Sequence, residues 1–247
     1  MSRFTRDDDI NRELRRLLAI TEVNAYPSRL YIPNSITPRV IVDSSGNVLV
    51  GDYSGGNYSQ FETDGTLIFK GDAIVWEDQW IDWGQLSSGG WFGNEYAQLV
   101  KLADGLAIEF ENNASYYYKT RFNVQINHRY VEGEDIEVHL HIYNNSNTSG
   151  DAVFKLTYNW ANMEGTYASS GTTVTKTVSI DGVQRRHQYE TIATLIGTGK
   201  KISSILMCQL ERDAGNANDT FSESVYVIGI DFHIPCNSVG SRTMMDK

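Results

Sequence analysis

The sequence predicts an all-β protein: a two-sheet, jelly-roll-like β-sandwich preceded by a short N-terminal helix, an extended arm and a small β-hairpin module. Three observations predict this class. Apolar and polar residues alternate along many short segments after residue 97, and turn-forming residues separate these segments. The composition, with 14 Tyr and 21 Gly in 247 residues, favours strands and tight turns. Alternation places the apolar side chains on one face, as packing between two sheets requires.

The first predicted element is a helix within residues 1–38. Thr5 can cap it, and acidic residues in its first turn suit the positive end of the helix dipole. Three prolines before residue 39 then favour an extended arm. Because so short a helix is unstable alone, its apolar stripe must pack on its own domain, on a second copy or on a docking partner. We predict that this stripe is a docking face, formed by Ile10, Leu14, Leu17 and Leu18.

Residues 39–95 form the predicted hairpin and connector module. Two imperfect copies of a turn-strand-turn pattern begin at Val42 and Glu62. A tryptophan-rich stretch follows, and we interpret it as a connection whose rings pack between modules, with a sugar-binding platform as the alternative. The tryptophans considered for a ligand or inter-subunit face are Trp80, Trp83 and Trp91.

The third predicted domain, residues 96–247, is the sandwich. Its apolar alternation is clearest where Ile136, Val138, Leu140 and Ile142 share one face. The predicted strands lie near 97–102, 105–110, 116–127, 135–143, 152–160, 172–180, 188–196, 202–211 and 224–234.

Two histidines of the sandwich, His139 and His141, form an H-x-H pair on one face of a predicted strand. Cupins bind a metal ion with such a pair, but the glutamate and the second motif of the cupin pattern are absent here. We therefore predict no metal and no cofactor, and expect the pair on the solvent or subunit face of its strand. The alternatives are a metal or anion shared where three copies meet, and a cupin-like metalloenzyme.

Enzyme signatures are missing from the sequence. It contains no G-x-S-x-G, no phosphate-binding glycine loop and no catalytic cysteine pattern, so we predict that the chain is not an enzyme. Cys208 and Cys236 are expected to be buried free thiols. The net charge of −10 argues against nucleic acid as a partner. No apolar run is long enough for a membrane span, and the N-terminus lacks the apolar core of a signal peptide.

Five motifs occur in order between residues 60 and 245. They are G-D-A-x-V-W-x-D from Gly71, H-R-Y-x-E-G-x-D-I from His128 with H-x-H after it, Y-x-W-x-N from Tyr158, C-x-L-x-R-D-A from Cys208, and I-D-F-H from Ile230 with a later S-R. As an ordered set they resemble a family of virion structural proteins of tailed bacteriophages, of the capsid decoration, head fibre or tail fibre type. The chain departs from that pattern around the H-x-H pair, where the relatives commonly carry a proline before it and a tryptophan after it.

The resemblance implies a non-enzymatic structural protein of the virion, made in the host cytoplasm. Such proteins are very often trimers. It further implies docking to the major capsid protein or another virion protein, as a capsid-exterior decoration, cement or head-fibre protein. The alternative is a tail fibre, an adaptor or a receptor-binding module that recognises a host-surface glycan.

Overall fold

The computed structural model describes residues 29–30, 40–81, 97–102, 105–116 and 118–243. These residues form fifteen β-strands and a 3-10 turn, Gly71–Ala73, which confirms the all-β prediction. The predicted helix and its stripe of Ile10, Leu14, Leu17 and Leu18 lie outside the described residues, as do Trp83 and Trp91. The strands are β1 (Arg29–Leu30), β2 (Val40–Val42), β3 (Val48–Asp52), β4 (Asn57–Phe61), β5 (Leu67–Lys70), β6 (Val75–Ile81), β7 (Gln98–Leu102), β8 (Gly105–Phe110), β9 (Tyr118–Gln125), β10 (Ile136–Tyr143), β11 (Ser149–Ala161), β12 (Thr172–Asp181), β13 (His187–Leu195), β14 (Ile205–Arg212) and β15 (Val225–Cys236).

The chain divides into two compact units. The first comprises Met1–Val75 with Asn237–Val239, and the second comprises Trp76–Cys236 with Gly240–Lys247. The sequence analysis placed the start of the sandwich at residue 96 and treated the tryptophan-rich stretch as a connection. The structure instead makes the beginning of that stretch a strand, β6, which pairs with β15 and so belongs to the second unit.

The first unit is a five-stranded antiparallel sheet in the order β1-β2-β3-β4-β5. The two repeated turns connect its strands, as the sequence predicts. In the first turn the backbone N–H groups of Ser45 and Asn47 both donate to Oδ1 of Asp43 at 2.9 Å. These bonds hold the pKa of Asp43 below its ordinary value. Gly46 adopts a φ of 87°, a left-handed conformation that glycine enters without strain.

The second unit is the predicted two-sheet β-sandwich. A six-stranded sheet runs β13-β10-β15-β8-β7 with β6 also paired to β15, and a four-stranded sheet runs β12-β11-β14-β9. Edge-to-face aromatic pairs connect the sheets in the core. The rings of Phe110 and Phe154 are 5.5 Å apart, and those of Phe122 and Phe232 are 6.2 Å apart. Cys208 and Cys236 are buried free thiols, as expected.

A buried ion pair anchors the sandwich at one end. The guanidinium group of Arg212 is fully buried and contacts both carboxylate oxygens of Asp219, at 3.0 and 2.8 Å. It also donates to the backbone carbonyl groups of Phe110, Phe221 and Glu223. A charge removed from water in this way requires full pairing, and these five bonds supply it. We call this group the Arg212 cluster.

Candidate functional site: an imidazole and aromatic face

The H-x-H pair lies on the outer face of the six-stranded sheet. In β10 the side chains of Val138, Leu140 and Ile142 point into the core and are at most 1% exposed. His139 and His141 alternate with them and therefore project to the opposite side, where they are partly exposed. The structure thus places the pair on the side of the strand that faces away from the core.

Neighbouring strands bring further polar side chains to the same place. On one side β13 pairs with β10 and sets Tyr189 opposite His141. On the other side β15 sets Asp231 opposite His139. We call the resulting surface the imidazole face; its members on these three strands are His139, His141, His187, Tyr189, Asp231 and His233.

A hydrogen-bonded chain runs through the imidazole face. Nε2 of His187 lies 2.8 Å from Nδ1 of His141, and Nε2 of His141 lies 3.2 Å from Oδ1 of Asp231. The Asp231 carboxylate is almost completely buried and can only accept when ionised, so Nε2 of His141 carries the proton. Across the contact with His187, one of the two facing nitrogens donates and the other accepts. The chain therefore holds both rings in fixed orientations.

His187 is tuned toward its neutral form. Partial burial lowers its pKa, and repulsion from His141 lowers it further. A cationic His187 and a cationic His141 would oppose two N–H groups across the 2.8 Å contact. The contact therefore does not allow both rings to be cationic at the same time.

Two tryptophans of β6 flank the imidazoles. The indole of Trp76 stacks on His233, with ring centroids 4.7 Å apart and planes 10° apart. The Trp80 ring lies 5.2 Å from the His141 ring and directly over Gly229, where an added Cβ would come within 1.9 Å of the indole. Contact with the sheet therefore holds both rings in place, yet each remains about half exposed, 51% for Trp76 and 48% for Trp80.

The remaining carboxylates of the face are also engaged. Oδ1 of Asp78 lies 2.5 Å from Nδ1 of His233, and Oε2 of Glu137 lies 3.3 Å from Nε2 of His139. Asp231 lies near two imidazoles, with its Oδ1 3.6 Å from Nδ1 of His139 and 3.2 Å from Nε2 of His141. These contacts orient the imidazole rings. The groups that contact His139 and His141 are carboxylates and another imidazole, and none of these is a nucleophilic hydroxyl group.

The described residues contain no group of three or more His, Cys, Asp or Glu side chains arranged to hold a metal ion. The imidazole nitrogens of this face lie near carboxylates and near each other. Nδ1 of His139 and Nε2 of His141 both lie near Oδ1 of Asp231, at 3.6 and 3.2 Å.

A second surface feature lies beside β6 and shares Trp80 with the imidazole face. A groove of about 590 Å³ is lined by amide side chains together with Trp80, Ile81 and His128. The Nε2 group of Gln79 donates to the carbonyl oxygen of Gln125 there at 2.8 Å, whereas Oε1 of Gln79 is buried without a hydrogen-bond partner among the described residues. We call this feature the amide groove; its amides are Gln79, Asn123, Gln125 and Asn127.

Only part of the site was predicted from the sequence. His139, His141 and Trp80 were predicted, and the structure brings them together, whereas Trp76, His187, Tyr189, Asp231 and His233 were not. A signal for two of these residues exists in the sequence: Asp231 and His233 alternate as His139 and His141 do. Their proximity depends on the antiparallel pairing of β10 with β15, which is not local in the chain.

Three motifs of the virion-protein resemblance meet at this face. They are the G-D-A-x-V-W-x-D motif through Trp76 and Asp78, the H-x-H pair, and I-D-F-H through Asp231 and His233. Two other motif residues, His128 and Ser241, form a partly buried contact elsewhere. His128 contacts the hydroxyl groups of Ser203 and Ser241, at 2.8 and 2.5 Å, and so connects distant parts of the chain.

No protein-family model matches the chain, and no curated protein matches it in sequence. Solved structures show partial similarity to it. One comprises the CBM22-1 and GH10 modules of endo-1,4-β-D-xylanase 10B of Clostridium thermocellum, complexed with xylohexaose. It is 13% identical to this chain, with a TM-score of 0.37, and the match covers 69% of this chain and 30% of that one. Another is a carbohydrate-binding module of the β-sandwich superfamily: 12% identity and a TM-score of 0.33 over 75% of this chain and 72% of that one. A third is the enzymatically active domain of tailspike protein 4 of bacteriophage CBA120: 8% identity and a TM-score of 0.28 over 67% of this chain and 19% of that one.

These similar structures are thus mainly β-sandwich carbohydrate-binding modules, with a phage tailspike among them. The chain spans less than a third of the xylanase chain. In the described part of this chain, no helix has the length and apolar character needed to cross a membrane.

Proposed function

We propose that this chain is a non-enzymatic structural protein of a tailed-bacteriophage virion, which displays its β-sandwich on the particle. The ordered motifs described above support the proposal. The role of one motif in the fold supports it too. Arg212, from C-x-L-x-R-D-A, uses its hydrogen-bond donors to stabilise the sandwich. A residue with all of its donors bound to the protein itself is suited to architecture and not to turnover.

We place the protein on the capsid exterior, where it forms a trimer and attaches to the major capsid protein or another virion protein through its N-terminal segment. Particle composition tests the assignment. Quantitative mass spectrometry of purified virions should find the chain at hundreds of copies, whereas about a dozen or two copies would indicate a tail component with its lower symmetry. Absence from purified particles would refute the virion role altogether.

The docking role of the N-terminal stripe is tested in the full-length chain. A charge in the stripe, as in Leu14→Asp or Leu17→Asp, should abolish incorporation into particles because a carboxylate is costly in an apolar interface. Arg12→Asp, a charge change in the same segment but outside the stripe, is the matched control and should be incorporated normally. Normal incorporation of the Leu14→Asp and Leu17→Asp proteins would refute the docking assignment.

A second candidate function, carbohydrate recognition, is favoured by a specific observation. Trp76, Trp80 and Tyr189 present ring surface to solvent on one sheet face, with Tyr189 at 67% exposure. A group of exposed rings on one face commonly marks an interaction site, and aromatic rings beside hydrogen-bonding groups suit a sugar, which has both CH-rich faces and hydroxyl groups. Screening the purified full-length protein on a glycan array tests this candidate, and silence on the array would exclude it.

A further inference from the structure

We infer that the imidazole face binds an uncharged oligosaccharide, whose sugar rings stack on Trp76 and Trp80 while its hydroxyl groups bond to the polar side chains beside them. This inference rests on carbohydrate recognition as the second candidate function and adds to it a location and a class of sugar. Three observations support the inference: the aromatic rings are fixed in place, a chain of hydrogen bonds orders the polar groups beside them, and the strands that form the face (β6, β10, β13 and β15) have a charge that selects the class of sugar.

The rings are fixed before any ligand arrives. Trp76 is held by its stack on His233, and Trp80 is held against the bare backbone of Gly229. A tryptophan has few rotatable bonds, and these contacts restrict them further, so little conformational entropy is lost when a ligand stacks on the exposed half of each ring. Tyr189 adds a third exposed ring, 6.3 Å from that of His141 and 29° from parallel to it.

The polar groups beside the rings are ordered as well. The chain from His187 through His141 to Asp231 holds the two imidazole rings in fixed orientations. Fixed donors and acceptors next to an aromatic surface distinguish one arrangement of hydroxyl groups from another. The face therefore combines a stacking surface with a means of orienting what stacks on it.

The charge of the face selects the class of sugar. No lysine or arginine occurs in β6, β10, β13 or β15, the described strands that form it. Three carboxylates belong to the face instead: Asp78 and Glu137 are exposed, and Asp231 is nearly buried at its base. They would repel the carboxylate or sulfate of an acidic sugar. Each also contacts an imidazole already, which leaves little for a cationic amino sugar to gain.

A glycan array that contains uncharged, acidic and amino-sugar oligosaccharides tests the class of ligand. We expect the full-length protein to bind uncharged oligosaccharides preferentially. Preferential binding to acidic or amino-sugar glycans would overturn the inference while leaving carbohydrate recognition intact. Silence across the array would overturn both, and the virion role would still be tested separately by particle composition.

Variants test the location, with titration calorimetry against the strongest uncharged glycan of the array. Trp76→Ala and Tyr189→Ala should each lower the affinity by about tenfold or more, since truncating a central aromatic contact commonly has an effect of this size. Asn123→Ala in the amide groove and Tyr53→Ala, an exposed ring of the first unit, are the matched controls and should bind as the wild type does. Thermal unfolding of each variant verifies its fold.

The opposite result locates the site elsewhere. Loss of binding in Asn123→Ala with normal binding in Trp76→Ala would assign the sugar to the amide groove and overturn the inference. A wild-type oligomer that binds no glycan and dissociates in Trp76→Ala, measured by light scattering, would identify the face as a contact between copies and overturn it equally.

Discussion

The Arg212 cluster and the imidazole face are both built from charged or titratable side chains, but water reaches only one of them. Arg212 and Asp219 have side chains that are 0% exposed, and every strong donor of the guanidinium group is bound to the protein. The imidazole face has a nearly buried carboxylate at its base and half-exposed indoles around it. The first arrangement stabilises the fold, and the second leaves surface available to a ligand. Burial, more than residue type, separates the two roles.

The largest expected effect is at the Arg212 cluster. Arg212→Ala should lower the free energy of unfolding by about 3–5 kcal/mol, because it leaves the Asp219 carboxylate buried and unpaired. Urea denaturation monitored by tryptophan fluorescence measures the loss. The double variant Arg212→Met with Asp219→Leu removes both charges and should be less destabilised than Arg212→Ala. A loss below about 1 kcal/mol in Arg212→Ala, the size found for exposed pairs, would contradict the architectural role.

A smaller effect is expected where the Trp80 ring contacts the sheet. Gly229→Ala should destabilise the protein by about 1–3 kcal/mol, because the new methyl group overlaps the indole. Removing the ring restores the space, so Gly229→Ala combined with Trp80→Ala should recover part of that loss in a double-mutant cycle of thermal unfolding. Strictly additive losses would show that Trp80 does not rest on Gly229.

A modest pH-dependent effect is expected at His187. Its pKa is lowered in the folded protein by partial burial and by His141, so the unfolded chain binds the proton more readily. The stabilisation is complete above the ordinary imidazole pKa of about 6.5 and decreases as the pH falls through that value toward the lowered one. Asp231, Glu137, Asp78 and the other face imidazoles also act on this region.

Comparison with His187→Gln isolates this contribution. Between about pH 7.5 and about pH 5.5 the wild type should lose stability relative to the variant, since only the wild type carries the shifted group. Urea midpoints at the two pH values measure the difference. A gap between the two proteins that is constant with pH would rule out the lowered pKa of His187.

The smallest effect is expected at an ion pair on the surface of the sandwich. Nζ of Lys176 and Oε1 of Glu190 are 3.0 Å apart, and both side chains are 40% exposed. Lys176→Ala should change the free energy of unfolding by less than about 1 kcal/mol, and the change should diminish further in high salt. A loss as large as that of Arg212→Ala would break the contrast between buried and exposed polar clusters.

The local alternation of apolar and polar residues was sufficient to predict most of the strands. The alternation around Leu140 placed β10 within a residue of its observed bounds, and the repeated glycine turns gave the meander of the first unit. β6 was missed because its tryptophans were treated as buried packing, whereas Trp76 and Trp80 face solvent. The face on which a tryptophan lies depends on what pairs with its strand, and β15 is more than a hundred residues further along the chain.

By itself the sequence determined that this protein is a β-sandwich with an H-x-H pair on one strand face, because side-chain alternation and turn chemistry act over a few residues. Only the tertiary structure decided which other groups join that pair. Antiparallel pairing of β10 with β13 and β15 sets Tyr189 and Asp231 beside the histidines, and pairing of β6 with β15 adds the indoles. Strand register is fixed by the whole buried core, so residues remote in sequence become neighbours only once both sheets have closed.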